Sequence, residues 1–442
     1  MDVHQGSLLA VDRSYYWYGV AYRDGSAFRP GHAFCCYRSE NGVDWQEEGS
    51  LFQGFPQGKY RRPQVLYNAK NHTYVLWFWW CPQGGDGRYG VAVAKKPAGP
   101  FRLISAEVPV LNKVDGLGDF SVCADADGQA YLAYGTLRDR AVSVERLRSD
   151  YLSSTLENGQ ALVSGYDVLS FFRREGKYYL LLDKGDAYAT QGTGMRVYVS
   201  NRPMDSYVFR RNINRYPGTP APLAVDRALS PNLYVPLKKQ SDGAFAPLEI
   251  EWEADTLFDG VKVVLFTGNR TRLPSDTLER PYAPIRLPGL EVQVWKNGGW
   301  VSVKSTQMAK TSSVYTLVDL RFDPVSGRRF RIRVATNHPY PVLVNEVEVS
   351  SRGKGLTLPL EAYVCDREDE ACSPRVPLRL SGVFPLPTAS GLRYCWMGDL
   401  WGSASDGIMA HDYTYWGAPL EFTPFGDVEP VRWSDAVGIS LP

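Results

Sequence analysis

The side chains of this sequence with the plainest chemical use are its aromatic rings. Indole and phenol groups stack on the flat apolar faces of sugars, and the chain has 12 Trp and 27 Tyr. Trp17, Trp79, Trp80, Tyr188 and Trp401 are the candidates for such a platform; the competing use of each ring is packing. Arg331 and Arg333 alternate with Phe330, Ile332 and Val334. That pattern reads as an anion-binding rim or as the solvated face of a strand, and the second is preferred. Glu346 and Glu348 are expected to face water for the same reason. Five scattered His, no two at metal-ligand spacing, disfavour a transition-metal centre. Seven Cys, with Cys35 and Cys36 adjacent and no CxxC pair, exclude a zinc ribbon or a dense disulfide framework. No metal and no cofactor are expected. Cys365 and Cys372 flank an acidic loop and would close a short disulfide; the alternative is seven reduced, mostly buried thiols.

Rings and charges need elements to hold them. At 442 residues the chain exceeds what one apolar core serves, so two or three domains are expected. With 49 Lys+Arg against 48 Asp+Glu the net charge is +1, which argues against a nucleic-acid reader and a polybasic membrane binder. The longest apolar run, Val75–Cys81, is far too short to span a bilayer. The opening residues lack the pattern of a secretion signal, and an extracellular or secretory-pathway location is favoured over the cytoplasm. Long amphipathic helical patterns are nearly absent. Short runs rich in Tyr, Val, Leu and Trp recur between Gly, Asp, Asn and Pro, which is the mark of strands and turns.

These runs repeat. Ser14–Tyr18, Thr73–Trp77, Ala130–Tyr134 and Lys177–Leu181 share one design, and Tyr16, Tyr74, Tyr131 and Tyr179 fall 58, 57 and 48 residues apart. A period of that size with several strands per unit means propeller blades. A fifth match, Arg393–Met397, follows with Tyr394 placed 215 residues after Tyr179, leaving roughly 165 residues of insertion once one blade is allowed for. Pro-rich stretches bracket the insertion, and alternating strands lie between them: 248–252, 261–266, 290–295 and 330–334. Such alternation suits a sandwich buried on one face. The reading is all-β: a five-bladed β-propeller over 1–216 and 379–442, interrupted before its last blade by a β-sandwich with linkers over 217–378.

Several ordered motifs resemble glycoside hydrolase family 43. They are Val3-His4-Gln5-Gly6, Tyr15–Gly19, Gly42–Trp45, Arg62–Asn68, Val91–Ala94 with Ala98–Phe101, Gly118-Asp119-Phe120, Trp396–Trp401 and Trp416–Leu420. The exo-β-1,3-galactanase branch, with its Met-Gly-Asp-Arg-Trp run in the last blade, is the most similar. The inserted segment resembles a discoidin-type, galactose-binding-like sandwich through Arg328–Arg333 and Glu346–Val349. The resemblance implies a central sugar pocket, with an oligo- or polysaccharide as partner; oligomeric state stays open.

Inverting hydrolysis needs a carboxylic acid to protonate the leaving oxygen and a base to activate water opposite it. The resemblance places the carboxylate that tunes the acid at Asp119 and the acid, a Glu in the family, at Asp167. An Asp there reaches about 1.5 Å less, one C–C bond, and a misplacement of about 1 Å can cost on the order of a hundredfold. Elsewhere the family's carboxylates are replaced: Glu before Arg-Pro becomes Arg61, and Glu after the Tyr-Trp-Tyr-Gly strand becomes Val20. The branch's Gln near the final blade gives way to Arg379. His4 takes the place of a central-channel His, which is either near water or an ion, or simply packed. Arginines in place of carboxylates suit a grip on carboxylate, sulfate or phosphate; alternatively Arg61 points away or pairs with Asp119 or Asp167. Three readings stay open. One is an exo-glycosidase on galactose- or arabinose-containing polysaccharide, with altered catalytic residues. The second is an inactive, lectin-like glycan binder or scaffold. The third is an enzyme for acidic sugars, with Arg61 and Arg62 reading a uronate.

Overall fold

In a computed structural model of the chain, each aromatic run forms the second strand of its own antiparallel sheet. The structure describes residues 1–23, 33–52, 55–113, 116–157, 161–183, 194–216, 218–227, 234–266, 285–307, 309–311, 315–335, 342–356, 360–365, 374–401, 403–404 and 408–434. The chain divides into two compact units, 1–215 with 374–442 and 216–373.

The first unit is a five-bladed propeller. Blade 1 is His4–Val11, Ser14–Ala21, Ala33–Ser39 and Gln46–Ser50; blade 2 is Lys59–Asn68, Thr73–Cys81, Arg88–Ala94 and Arg102–Ser105. Blade 3 is Leu117–Ala124, Ala130–Thr136 and Val142–Arg146; blade 4 is Asp167–Arg174, Lys177–Asp183, Arg196–Ser200 and Val208–Asn212. Blade 5, across the insertion, is Arg379–Thr388, Gly391–Leu400 and Tyr413–Gly417. The first strand of each blade lies against the first strands of its neighbours, and that of blade 5 closes on blade 1.

Both faces of every blade are covered, which explains why the second strands are aromatic rather than alternating. In Thr73–Cys81, Val75, Trp77 and Trp79 pack toward blade 3, while Tyr74, Leu76, Phe78 and Trp80 pack toward blade 1. One apolar cluster fills each of the five gaps between blades. Blades splay outward from the axis, so large rings are needed to fill the wedge, and each contributes roughly 1.5–3 kcal/mol on burial.

Near the axis the first strands are tied by polar side chains instead. Ser7 Oγ donates to Pro63 O (2.7 Å), Phe171 N donates to Ser121 Oγ (3.0 Å) and Val383 N to Ser170 Oγ (3.0 Å). Gln64 bridges blades 2 and 3 with both ends of its amide: Nε2 donates to Phe120 O (3.2 Å) and Oε1 accepts from Val122 N (2.9 Å). Gln64→Ala strands a buried acceptor and a buried donor at about 1–3 kcal/mol each. It is expected to lower stability by about 2–4 kcal/mol in urea unfolding, and a loss below about 0.5 kcal/mol would refute this role.

The second unit contains a nine-stranded sheet built on two long paired strands, Leu248–Phe266 and Tyr315–Val334. Leu248–Phe266 pairs with Leu360–Val364 along its first part and with Val342–Ser351 along its second. Bulges after Glu251 and Phe258 shift its inward face from Leu248, Ile250 and Trp252 to Val261, Val263 and Leu265, so both parts line one core. A register shift in Val342–Ser351 corrects the expectation for Glu346. The inward set moves from Val342 and Val344 to Val347 and Val349, and Glu346 falls in the shift, 2% exposed; Glu348 is exposed. Arg331 likewise does not stand on a solvated face. Its side chain, 20% exposed, donates Nε to Gln293 Oε1 (2.8 Å) on the neighbouring strand and lies over the Trp300 ring. Arg333, half-exposed, meets Glu291 at 3.7 Å. Among the described residues no helix is long and apolar enough to cross a membrane.

Candidate active site

Every first strand of the propeller is broken by a bulge near its start. The bulges fall at Gln5-Gly6, Arg62-Pro63, Gly118-Asp119, Leu169 and Ser381. A bulge re-aims a side chain and frees backbone groups, and here all five are brought to one level of the axis. Gln5 and Arg62 adopt φ of 51° and 50° to make theirs.

Arg62 joins four of the five bulges. It is 3% exposed, and Nη1 donates to Leu169 O (3.2 Å) and Ser381 O (3.0 Å), Nη2 to Leu380 O (3.4 Å), while Nε lies 3.1 Å from Asp119 Oδ2. The same Asp119 oxygen accepts from Arg379 Nη2. Burial would push the Asp119 carboxyl up, but Arg62, Arg379 and Arg61 outweigh it and bring the pKa from 3.8 to about 2. Asp119 therefore contributes stability that is present above pH 3.8 and lost as pH falls toward 2, on the order of 2 kcal/mol. Asp119→Asn is expected to be less stable than wild type by about that amount at pH 6. The gap should narrow in denaturation as pH falls below 3.8 and nearly close at about pH 2, and a gap constant with pH would contradict the linkage.

Asp167 opens the first strand of blade 4 and is shifted the opposite way. Burial raises its pKa and the Asp119 carboxylate adds to this, against the fields of Arg379, Arg140 and Arg62. Arg140 Nε stands 4.0 Å from Asp167 Oδ1. Across the hairpin Asp167 is paired with Asp183, whose Oδ1 lies 2.7 Å from where a Cβ on Gly194 would sit, so a larger residue there would have to displace the side chain of Asp183 or Asn212.

Asp399 is the buried carboxylate that sequence reasoning missed. It is 1% exposed and accepts from Gln5 N (2.9 Å), Ser381 Oγ (3.1 Å) and Thr414 Oγ1 (3.1 Å), with His4 Nδ1 at 3.1 Å. The signal was an acid at the end of the apolar run Tyr394–Gly398: a carboxylate buried there requires donors. Among the described residues no group of three or more His, Cys, Asp or Glu converges as a metal ligand set.

No family model matches the chain, and none of the curated proteins matches it in sequence. Solved structures do. A family-43 β-1,3-galactosidase solved with galactodeoxynojirimycin is similar over 99% of this chain and 95% of its own, with a TM-score of 0.54 at 15% identity. An exo-β-1,3-galactanase from Clostridium thermocellum is similar over 100% of this chain and 65% of its own, with a TM-score of 0.50 at 16% identity. The fold is that of glycoside hydrolase family 43.

On this propeller the sequence candidates separate into groups. Arg62, Asp119 and Arg379 meet on the axis; Arg61 and Asp167 are near enough for their charges to act on that cluster or be acted on by it. Arg61 lies with its guanidinium 4.6 Å from the Trp79 ring centre, and Trp79 Nε1 donates to Leu117 O (2.7 Å). His4 is fully buried between Tyr22 and Trp401, at 5.4 and 5.0 Å between ring centres. Trp17 lies elsewhere, in the apolar cluster between blades 1 and 5, edge-on to Trp45 and Trp416. Trp80 packs between blades 1 and 2. Tyr188, and Cys372 of the Cys365–Cys372 pairing, lie outside the described residues.

Proposed function

We propose that the chain is a glycan-active protein, an exo-glycosidase on galactose- or arabinose-containing oligo- or polysaccharide, with Asp167 as the acid. What carries this reading is a pair of neighbouring carboxyl groups pushed apart in pKa, Asp167 up and Asp119 down to about 2. Such a split assigns one group to hold a proton and the other to stay charged. Asp167 would pass its proton to the glycosidic oxygen as the C–O bond breaks, water would add its oxygen to the anomeric carbon, and the proton that this water sheds would pass to solvent, from which Asp167 is reprotonated. The two neighbours support the sugar class: one is a β-1,3-galactosidase, the other an exo-β-1,3-galactanase.

One observation favours a second, lectin-like reading. Asp399, a buried carboxylate at the axis, has its oxygens occupied by four neighbours, and so is poorly placed to activate water. Incubation with β-1,3-galactan, arabinogalactan and nitrophenyl glycosides separates the two. Sugar released one unit at a time by wild type supports the glycosidase; galactan affinity without release supports the lectin; neither release nor affinity sinks both.

A further inference from the structure

Asp167 is held by one residue of the neighbouring blade in two ways. The segment 161–166 that leads into it is strapped to the last strand of blade 3: Val142 N donates to Val163 O (2.7 Å) and Leu162 N to Val142 O (2.8 Å). The strap ends on Arg140, whose carbonyl accepts from Gly165 N (3.0 Å) and Tyr166 N (3.3 Å). The Arg140 side chain meets Asp167 itself, with Nε 4.0 Å from Oδ1. Arg140 thus fixes both the backbone just before Asp167 and the carboxyl group.

The turn that carries Arg140 is closed around it. Arg140 has φ of 48°, a left-handed backbone that is costly for a residue with a long side chain. Thr136, 1% exposed, holds the turn shut: its N donates to Ala141 O (3.2 Å), and its Oγ1 accepts from Ala141 N (3.0 Å) and donates to Asp139. Other charges also face Asp167. Asp119 of blade 3, Arg62 of blade 2 and Arg379 of blade 5 act on it, and Asp183, 7% exposed, is its partner across the hairpin. Arg62 and Arg379 are paired with Asp119, whereas Arg140 is paired with Asp167. A proton leaving Asp167 for the glycosidic oxygen creates a carboxylate, which a guanidinium attracts far more than it attracts the neutral acid. The Arg140 contact is therefore stronger once the proton has moved, the direction that lowers a barrier.

Resting on the glycosidase reading above, we propose that Arg140 is a positioning residue for the acid, its carbonyl setting where Asp167 stands and its guanidinium receiving the carboxylate as the proton leaves. Arg140→Asn tests this, because Asn accepts the left-handed turn while lacking the guanidinium; Arg140→Lys restores the charge. In Arg140→Asn, kcat on β-1,3-galactan is expected to fall about tenfold to a hundredfold. Its alkaline limb should move to higher pH by about half a unit, because the field of Arg140 lowers the Asp167 pKa. A merely structural loss would lower kcat and leave the limb in place. Carboxyl NMR titration, with the Asp167 signal assigned through Asp167→Asn, reads the same displacement without turnover. Arg140→Lys should return the limb and the midpoint toward wild type and recover part of kcat. A limb and midpoint that stay in place in Arg140→Asn, or an unreduced kcat, would overturn the inference while leaving the acid reading standing, provided that Asp167→Asn still abolishes the limb. So would a displacement as large in Arg140→Lys as in Arg140→Asn. A wild type without turnover, or a limb that persists in Asp167→Asn, would overturn the acid reading and the inference with it.

Discussion

Asp167→Asn is expected to lower kcat on a galactan substrate by about 10²–10⁴, the usual contribution of a positioned general acid. Stability should hardly fall, because the raised pKa of Asp167 means that its charged form is disfavoured in the folded chain. Activity of the wild type should fall as pH rises through the raised pKa, and that alkaline limb should vanish in Asp167→Asn. Substrates with a good leaving group, such as nitrophenyl glycosides, need less help from an acid and should lose less. Asp167→Glu is the more telling variant. If the short reach of Asp limits the reaction, restoring one C–C bond of about 1.5 Å should raise kcat by up to about a hundredfold. Equal kcat for wild type, Asp167→Asn and Asp167→Glu, on both classes of substrate, would remove Asp167 from the chemistry.

The fold was legible in the sequence because a propeller writes its period into its most buried strands. Tyr16, Tyr74, Tyr131, Tyr179 and Tyr394 all proved to lie on second strands, where rings on both faces fill the gaps between blades. That rule is local and periodic, so it survives a long insertion. The axis obeys a different rule. Its residues sit at bulges, where alternation fails, and their partners come from other blades far along the chain. Arg62 and Ser381 are hydrogen-bonded across 319 residues, and Gln5 and Asp399 across 394. Nothing within a single strand announces such a pair. Trp17 and Trp79 show the limit for rings. Both are buried aromatics on second strands, and only the direction of the side chain puts one against Trp45 and Trp416 and the other beneath Arg61. In the second unit, bulges misled in the same way, carrying Glu346 inward where strict alternation would put it in water.

Arg62→Ala is expected to destabilise the propeller by about 3–5 kcal/mol, the cost of removing one partner from a buried charged network. The sequence suggested Arg62 as a reader of uronate, yet its geometry is that of an axle. At 3% exposure it spans carbonyls from blades 4 and 5 and the Asp119 carboxylate of blade 3, from a strand of blade 2. Truncation leaves Leu169 O, Leu380 O and Ser381 O short of a donor, each a buried polar group. It also removes one of the arginines that hold Asp119 charged, leaving Arg379 paired with it, so the Asp119 pKa should rise and the acid stability it provides should shrink. Arg62→Lys should recover less than half of the loss, because one ammonium cannot reach acceptors arrayed around a planar fork. Because Asp119 and Arg62 act as one unit, the double variant with Asp119→Asn should cost less than the sum of the singles, with a coupling of about 1–3 kcal/mol. Urea unfolding at pH 7 of wild type and the four variants measures these losses. A loss below about 1 kcal/mol for Arg62→Ala, or strict additivity with Asp119→Asn, would show that the blades are held at the axis by backbone and packing alone.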